Sequence, residues 1–220
     1  MKILLLADEP SRSLWDYYTP DKLRDIELII SSGDLPAPYL EFLVTMGRAP
    51  VVYVPGNHDD AYVQKPPEGC ECVDGTMFVF KGLRIFGLGG SMQYKPGAYM
   101  YTEKAMRQRV KKAAWTLRKY GGMDIFVTHA PAKGYGDLED LPHQGFDCFN
   151  PLLEICKPGL MVHGHVHATY GGNYQRERTH ASGTRIVNAF ERYVIDVNEQ
   201  DFPHGDDKQI RRALLNTIFQ

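Results

Sequence analysis

Six residues of this 220-residue chain have the side chains and the spacing of a metal site: Asp8, Asp34, Asn57, His129, His165 and His167. Two carboxylates, one amide oxygen and three imidazoles mix hard oxygen with borderline nitrogen donors. That mixture suits Mn²⁺, Fe or Zn²⁺ better than Ca²⁺, which prefers an all-oxygen shell. Asp34 has two oxygens and can bridge two ions. The His165-Val166-His167 pair can send its two rings to neighbouring ions. Asn57 adds no negative charge, so the loaded site stays positive for a phosphate. Two ions about 3.5–4 Å apart clamp an in-line phosphoryl displacement and lower the pKa of a shared water, so that hydroxide exists near neutral pH. The leaving oxygen then needs a proton or a hydrogen bond. His58, beside Asn57 but directed away from the ions, is expected to supply it, with Asp59 orienting the ring and raising its basicity.

These residues need a frame that brings them together. Short apolar runs alternate with helical patterns, which implies an α/β domain. Strands are expected at Ile3–Leu6, Ile26–Ile30, Val51–Val54, Ile125–Val127 and Leu160–Val162, and a hairpin at Phe78–Phe80 and Leu83–Leu88 around Lys81-Gly82. Two more strands are expected near 184–188 and 192–197. Helices are expected from Pro36 to Met46, over 102–119 and from Phe146 to Cys156. Residues 60–75 and 130–145 read as long loops. The chain closes on an amphipathic helix with Ile210, Leu214, Leu215 and Ile218 on one side. Each polar cluster follows the end of an expected strand, the edge where ligands bind in open α/β sheets.

The ordered series Asp8, Gly33-Asp34, Gly56-Asn57-His58-Asp59, Thr128-His129 and Gly164-His165-Val166-His167 resembles the calcineurin-like metallophosphoesterase superfamily. The resemblance runs from residue 3 to about residue 197. It implies a four-layer α-β-β-α sandwich, two mixed sheets flanked by helices, with the metal site at the strand ends. By matching position, it implies that Asp8, Asp34 and His167 serve a first metal and that Asp34, Asn57, His129 and His165 serve a second. It gives His58 the role of proton donor or phosphate contact. The loop Thr128-His129-Ala-Pro131-Ala-Lys-Gly134-Tyr-Gly136-Asp137 is similar to a branch that includes small, capless phosphodiesterases. Together these imply metal-dependent hydrolysis of a phosphate ester, a small phosphodiester first and a phosphomonoester as the alternative. Two divalent ions are implied, Mn²⁺ first, with Fe or Zn²⁺ as alternatives. The domain is expected over 1–198, with 199–220 as an extension packed on it.

One motif departs from that pattern. The superfamily opens on Asp-x-His, both residues binding the first metal; here the chain reads Asp8-Glu9-Pro10, and proline has no side-chain donor. The first site is therefore expected to be weaker and open to solvent; the alternatives are that Glu9 or an acid such as Asp16 stands in, or that the first site is empty in the purified protein. A metal-binding scaffold without catalysis is the rival reading, opposed by the intact Gly56-Asn57-His58-Asp59.

Other candidates have plainer readings. His143, among Asp137, Glu139 and Asp140, is a possible substrate contact at the cleft mouth or a solvated surface histidine. His163 is expected to be structural. Tyr94, Tyr99 and Tyr101 either stack on an aromatic group of the substrate or cover the core. Arg107, Arg109, Lys111 and Lys112 form a basic run, expected to be a solvated helix face. The formal net charge of −2 argues against a general nucleic-acid binder, and the acidic stretch 137–140 against long polyanions. The partner is expected to be a small phosphorylated substrate. The apolar run Ile3–Leu6 is too short to span a membrane. Four cysteines without a secretory signal are expected as free thiols in the cytoplasm.

Overall fold

The computed structural model describes residues 1–168, 174–202 and 207–219. In chain order the strands are β1 (Lys2–Ala7), β2 (Leu28–Ser31), β3 (Val51–Tyr53), β4 (Glu71–Cys72), β5 (Met77–Phe80), β6 (Leu83–Leu88), β7 (Ser91–Met92), β8 (Met100–Tyr101), β9 (Ile125–Thr128), β10 (Leu160–His163), β11 (Glu177–Thr179), β12 (Arg185–Asn188) and β13 (Glu191–Asp196). The helices are α1 (Ala37–Met46), α2 (Glu103–Tyr120), α3 (Phe149–Cys156) and α4 (Asp207–Phe219). One sheet has the order β13-β1-β2-β3-β4 and the other β11-β12-β10-β9-β6-β5, while β7 and β8 form a small separate pair. Both large sheets are mixed. Strands β1, β2, β3 and β4 run parallel with β13 antiparallel, and β6, β9, β10 and β12 run parallel with β5 and β11 antiparallel.

Strand alternation explains the four layers. Ile3, Leu5 and Ala7 of β1 face the second sheet, where Ile125, Val127, Leu160 and Val162 meet them. Leu4 and Leu6 point the other way, onto Leu14, Tyr39, Leu40 and Leu43 beneath α1. On the outside of the second sheet, Phe126 and Met161 pack against Met106, Val110 and Leu117 of α2 and Leu152 and Leu153 of α3. These strands are apolar on both faces because each sheet is covered twice. Ile210 and Leu214 of α4 join the outer cluster. Leu215 is half-buried, and Ile218 lies outside the residues whose side chains are described. None of the helices, over the described residues, is long and apolar enough to cross a membrane.

Two expectations need correcting. The stretch 60–75 holds a 3-10 turn at Asp60–Val63 and the short β4, which lengthens the first sheet. The basic run of α2 is not one solvated face. Arg109 is largely buried, donating to Asp74 at 2.5 Å and to the Gly89 carbonyl at 2.8 Å, with its guanidinium 4.3 Å from the Tyr101 ring centre. Its apolar surroundings and a fixed carboxylate keep it from solvent.

A buried ion pair ties α2 to the second sheet. Asp124 accepts from the Arg84 backbone N–H, Nε and Nη2 at 2.8, 3.0 and 2.8 Å, and Arg84 Nη1 donates to the Tyr120 and Gly121 carbonyls at the end of α2. Removing Asp124 leaves the Arg84 guanidinium without its closest counter-charge, Asp207 lying 3.6 Å away. Asp124→Ala is expected to lower stability by about 3–5 kcal/mol, read by urea unfolding. A loss below about 1 kcal/mol, the range of an exposed pair, would show that the bridge adds nothing beyond solvation.

Candidate metal centre

Asp8 follows β1, Asp34 follows β2 and Asn57 follows β3, all in the first sheet. His129 follows β9, and His165 and His167 follow β10, in the second. The strands that carry them are parallel, so their C-terminal ends form one rim. The oxygen donors come from one sheet and the nitrogen donors from the other. Within the second sheet the Gly164 N–H donates to the His129 carbonyl at 3.0 Å, and across the gap Asp8 accepts from the His165 backbone N–H at 2.9 and 3.1 Å.

Three of the six sit in the left-handed backbone region: Asp8 at φ 68°, Asp34 at 58° and His165 at 68°. Non-glycine residues there cost about 1–3 kcal/mol each and persist only where the surroundings impose them. The turn swings each side chain off its strand direction and into the rim. Gly33 and Gly56 let the β2 and β3 loops touch. A Cβ on Gly33 would lie 2.4 Å from the Gly56 nitrogen.

One ligand atom each from Asp34, His129 and His165 lie within 4.8 Å of one another. His129 is fully buried, with Nδ1 2.7 Å from the Ser32 carbonyl oxygen. A carbonyl only accepts, so Nδ1 carries the proton and Nε2 faces Asp34 Oδ2 at 3.2 Å and Asn57 Oδ1 at 3.0 Å. His165 has the opposite tautomer. Its Nε2 lies 2.7 Å from the Pro142 carbonyl, so Nε2–H donates and Nδ1 keeps its lone pair. Such outer hydrogen bonds fix the ligating nitrogen of metal-binding histidines. The remaining pair is looser: His167 Nε2 is 3.9 Å from Asp8 Oδ1.

The electrostatics fit a cation. Burial pushes Asp8 up to about 7, against the pull of His129. Burial would also raise Asp34, but the His129 charge and hydrogen bond and the His58 N–H outweigh it and hold Asp34 low. Burial works to lower His129, and the Asp34 charge overrides it, so this imidazole is held above its usual range. His165 is pushed down by burial and by His129, leaving it neutral, the form that ligates. Divalent ions would relieve the crowded carboxylates and use the lone pairs that converge here. The donors fit the metals that the sequence implies.

His58 is exposed and lines a cleft of about 430 Å³ with Asp8, Asp34, Tyr94, His143 and His167. Its backbone N–H donates to Asp34 Oδ1 at 2.7 Å. The expected pairing of Asp59 with His58 is corrected. Asp59 is buried, and its Oδ2 accepts from the Asp34 and Gly56 N–H groups at 2.8 and 2.7 Å. Two backbone amides surround a carboxylate better than one mobile ring would. Asp59 therefore braces the two ligand loops. Asp16, considered as a stand-in ligand, pairs instead with Arg12 at 3.2 Å on the surface, and Glu9 is exposed. His163 is buried, with Nδ1 2.9 Å from the Gly164 carbonyl oxygen. The tyrosines divide: Tyr94 reaches the cleft, while Tyr99 and Tyr101 pack on the core. The Pro142 and Ser32 carbonyls are functional groups that side-chain reasoning missed, because a backbone oxygen leaves no letter in the sequence.

Residues 12–169 match the calcineurin-like phosphoesterase family. The chain belongs to that family. The match holds five of the six donors and begins just after Asp8-Glu9-Pro10. Among solved structures, TT1561 of Thermus thermophilus superposes with a TM-score of 0.60 at 20% identity, over 86% of this chain and 89% of that one. Another superposes with a TM-score of 0.64 at 14% identity, over 89% of this chain and 94% of that one. A 5'-nucleotidase from Candida albicans aligns with a TM-score of 0.50 at 10% identity, over 98% of this chain and 56% of the other. These likenesses speak to fold. No curated protein matches.

Proposed function

We propose that this protein hydrolyses a small phosphodiester with two divalent metal ions, Mn²⁺ first among them. The carrying observation is the convergence of Asp34, His129 and His165 donors beside Asp8 and His167, at the floor of a cleft that His58 enters. Bound ions would supply Lewis-acid stabilisation of the phosphoryl oxygens and acidify water. The chain's own residues do the rest. Asp34, Asn57, His129 and His165 hold one ion, and Asp8, Asp34 and His167 the other. Asn57 and His58 meet the phosphate, and His58 gives the leaving oxygen its proton. His143 stands at the mouth, where the second ester arm leaves. Asp137 and Asp140 bond within their own loop but keep their negative charge, so with Glu139 and the limited cleft they oppose long polyanions.

The leaving group provides the test. Nitrophenolate departs without a proton, whereas an alkoxide does not. His58→Ala is expected to slow an alkyl phosphodiester by about 10²–10⁴-fold, the range of general acid catalysis, and the bis(p-nitrophenyl) ester much less. Equal losses on both would remove His58 from the proton-donor role. Assays of mono- and diesters with Mn²⁺, Fe²⁺, Co²⁺ and Zn²⁺ separate the phosphomonoesterase alternative. The name of the 5'-nucleotidase neighbour points toward that alternative, although at 10% identity the likeness carries fold alone. Pro10 favours one further reading, a scaffold, which absence of turnover with every metal would support.

Metal titration tests the asymmetry at Pro10. One tight site and one distinctly weaker site are expected by calorimetry with Mn²⁺. Two equally tight sites would show that the missing histidine is compensated.

A further inference from the structure

We propose that the loop 130–145 is a strap that sets the metal affinity of His165, with Asp137 and Asp140 as its positioning residues. This inference rests on the metal-binding reading above.

The loop has little regular structure, yet it is built. Asp137 closes its two ends: Oδ1 accepts from the Gly134 N–H at 2.8 Å and Oδ2 from the Gly145 N–H at 3.1 Å. Within that ring, Leu138 N–H donates to the His143 carbonyl at 3.1 Å and His143 N–H to the Asp140 carbonyl at 3.0 Å. A 3-10 turn at Leu141–His143 forms the tip. The side chains tie it again, His143 Nδ1 lying 2.5 Å from Asp140 Oδ2. The tip presents the Pro142 carbonyl to His165 Nε2 at 2.7 Å, and the His143 ring packs 5.2 Å, centre to centre, from the His165 ring.

The consequence is chemical. His165 has a left-handed backbone and a ring that could turn or change tautomer. By taking the Nε2 proton in a hydrogen bond, Pro142 leaves Nδ1 bare for the metal and fixes the ring plane. Proline has no backbone N–H to compete at this position, and its fixed φ narrows the swing of the tip. Asp137 and Asp140 touch no ligand atom. They act through Pro142, in the way outer hydrogen bonds raise the basicity of metal-bound imidazoles.

Calorimetry with Mn²⁺ alone tests this, the His165 site being identified by its loss in His129→Ala. Asp137→Ala and Asp140→Ala are expected to weaken that site by about 10–100-fold and to leave the other affinity in place. Asp140→Asn, which keeps an acceptor for His143 Nδ1, is expected to recover most of the loss. Nitrogen NMR of the metal-free protein is a readout independent of metal: the His165 ring is expected as the Nε2–H tautomer, and as a tautomer mixture in the two alanine variants. Unchanged affinity and tautomer in correctly folded variants overturn the strap, as does equal weakening at both sites. Failure of the wild-type protein to bind any metal overturns the proposed function instead, and the tautomer readout then decides the strap alone.

Discussion

Gly56→Ala is expected to abolish tight metal binding while leaving every ligand in the sequence. A Cβ at this position would lie 2.1 Å from Asp34 Oδ1, 2.6 Å from its Cγ and 2.7 Å from its backbone nitrogen. A flexible side chain could swing aside. Asp34 cannot, because its N–H donates to Asp59, its Oδ1 accepts from His58 N–H and its Oδ2 faces His129. The methyl group therefore pushes the β2 and β3 loops apart and carries the Asp34 carboxylate with them. In the proposed two-ion site, displacing Asp34 removes stabilisation that both ions would share. A fall in activity of about 10³-fold corresponds to about 4 kcal/mol of transition-state stabilisation, and that is the expected scale with Mn²⁺ at wild-type saturation. Far-ultraviolet circular dichroism should stay native, since the β2 and β3 strands end before the clash. Full activity with tight Mn²⁺ binding would mean that the loop contact relaxes without moving Asp34. Gly164→Ala is the matching change for the other carboxylate, its Cβ falling 2.9 Å from Asp8 Oδ2.

The layers are legible in the sequence because the strands alternate. Ile3 and Leu5 face one way and Leu4 and Leu6 the other, and every residue of that run is buried, which only a doubly covered sheet allows. Two of the four sheet edges are not legible. Strand β4 is two exposed residues and β11 alternates exposed with half-buried ones, so neither has an apolar signal. Pairing to Tyr53 and to Arg185 makes them strands, and β4 finds its partner well away in the chain. The burial of Arg109 is hidden for a related reason. Nothing within its helix announces Asp74, 35 residues away, or the Tyr101 ring.

The six candidate donors can be read because each is a side chain at a strand end. How they are held cannot. Asp59 sits beside His58 in the sequence, which suggests that the two pair, but its carboxylate turns inward to two backbone amides. The Ser32 and Pro142 carbonyls decide which nitrogen of His129 and of His165 is bare, and any residue at those positions would offer the same kind of oxygen. Left-handed backbone at Asp8, Asp34 and His165 is equally hidden, since aspartate and histidine only mildly favour it.

Asp34→Ala and Asp8→Ala separate the two halves of this site. Asp34 stands between the donors of the two sheets, 3.2 Å from His129 and bonded through its loop to His58 and Asp59. In the proposed site its removal would take a ligand from both ions, and it leaves buried His129 without its nearest counter-charge. Both metal affinities are expected to collapse, with activity down about 10³-fold or more, as for loss of several kcal/mol of Lewis-acid stabilisation. Asp8 is proposed to serve only the ion for which the chain has Pro10 where the family pattern has a histidine. Its partners are the His165 backbone N–H and, at 3.9 Å, His167. Asp8→Ala is therefore expected to erase the weak calorimetric phase and leave the tight one. It also removes a carboxylate whose charge burial opposes, which in the metal-free protein offsets the loss of the bond from the His165 N–H. If Asp8→Ala instead removes the tight phase, the ion at Asp8 and His167 is the firmly held one, and Pro10 has not weakened it.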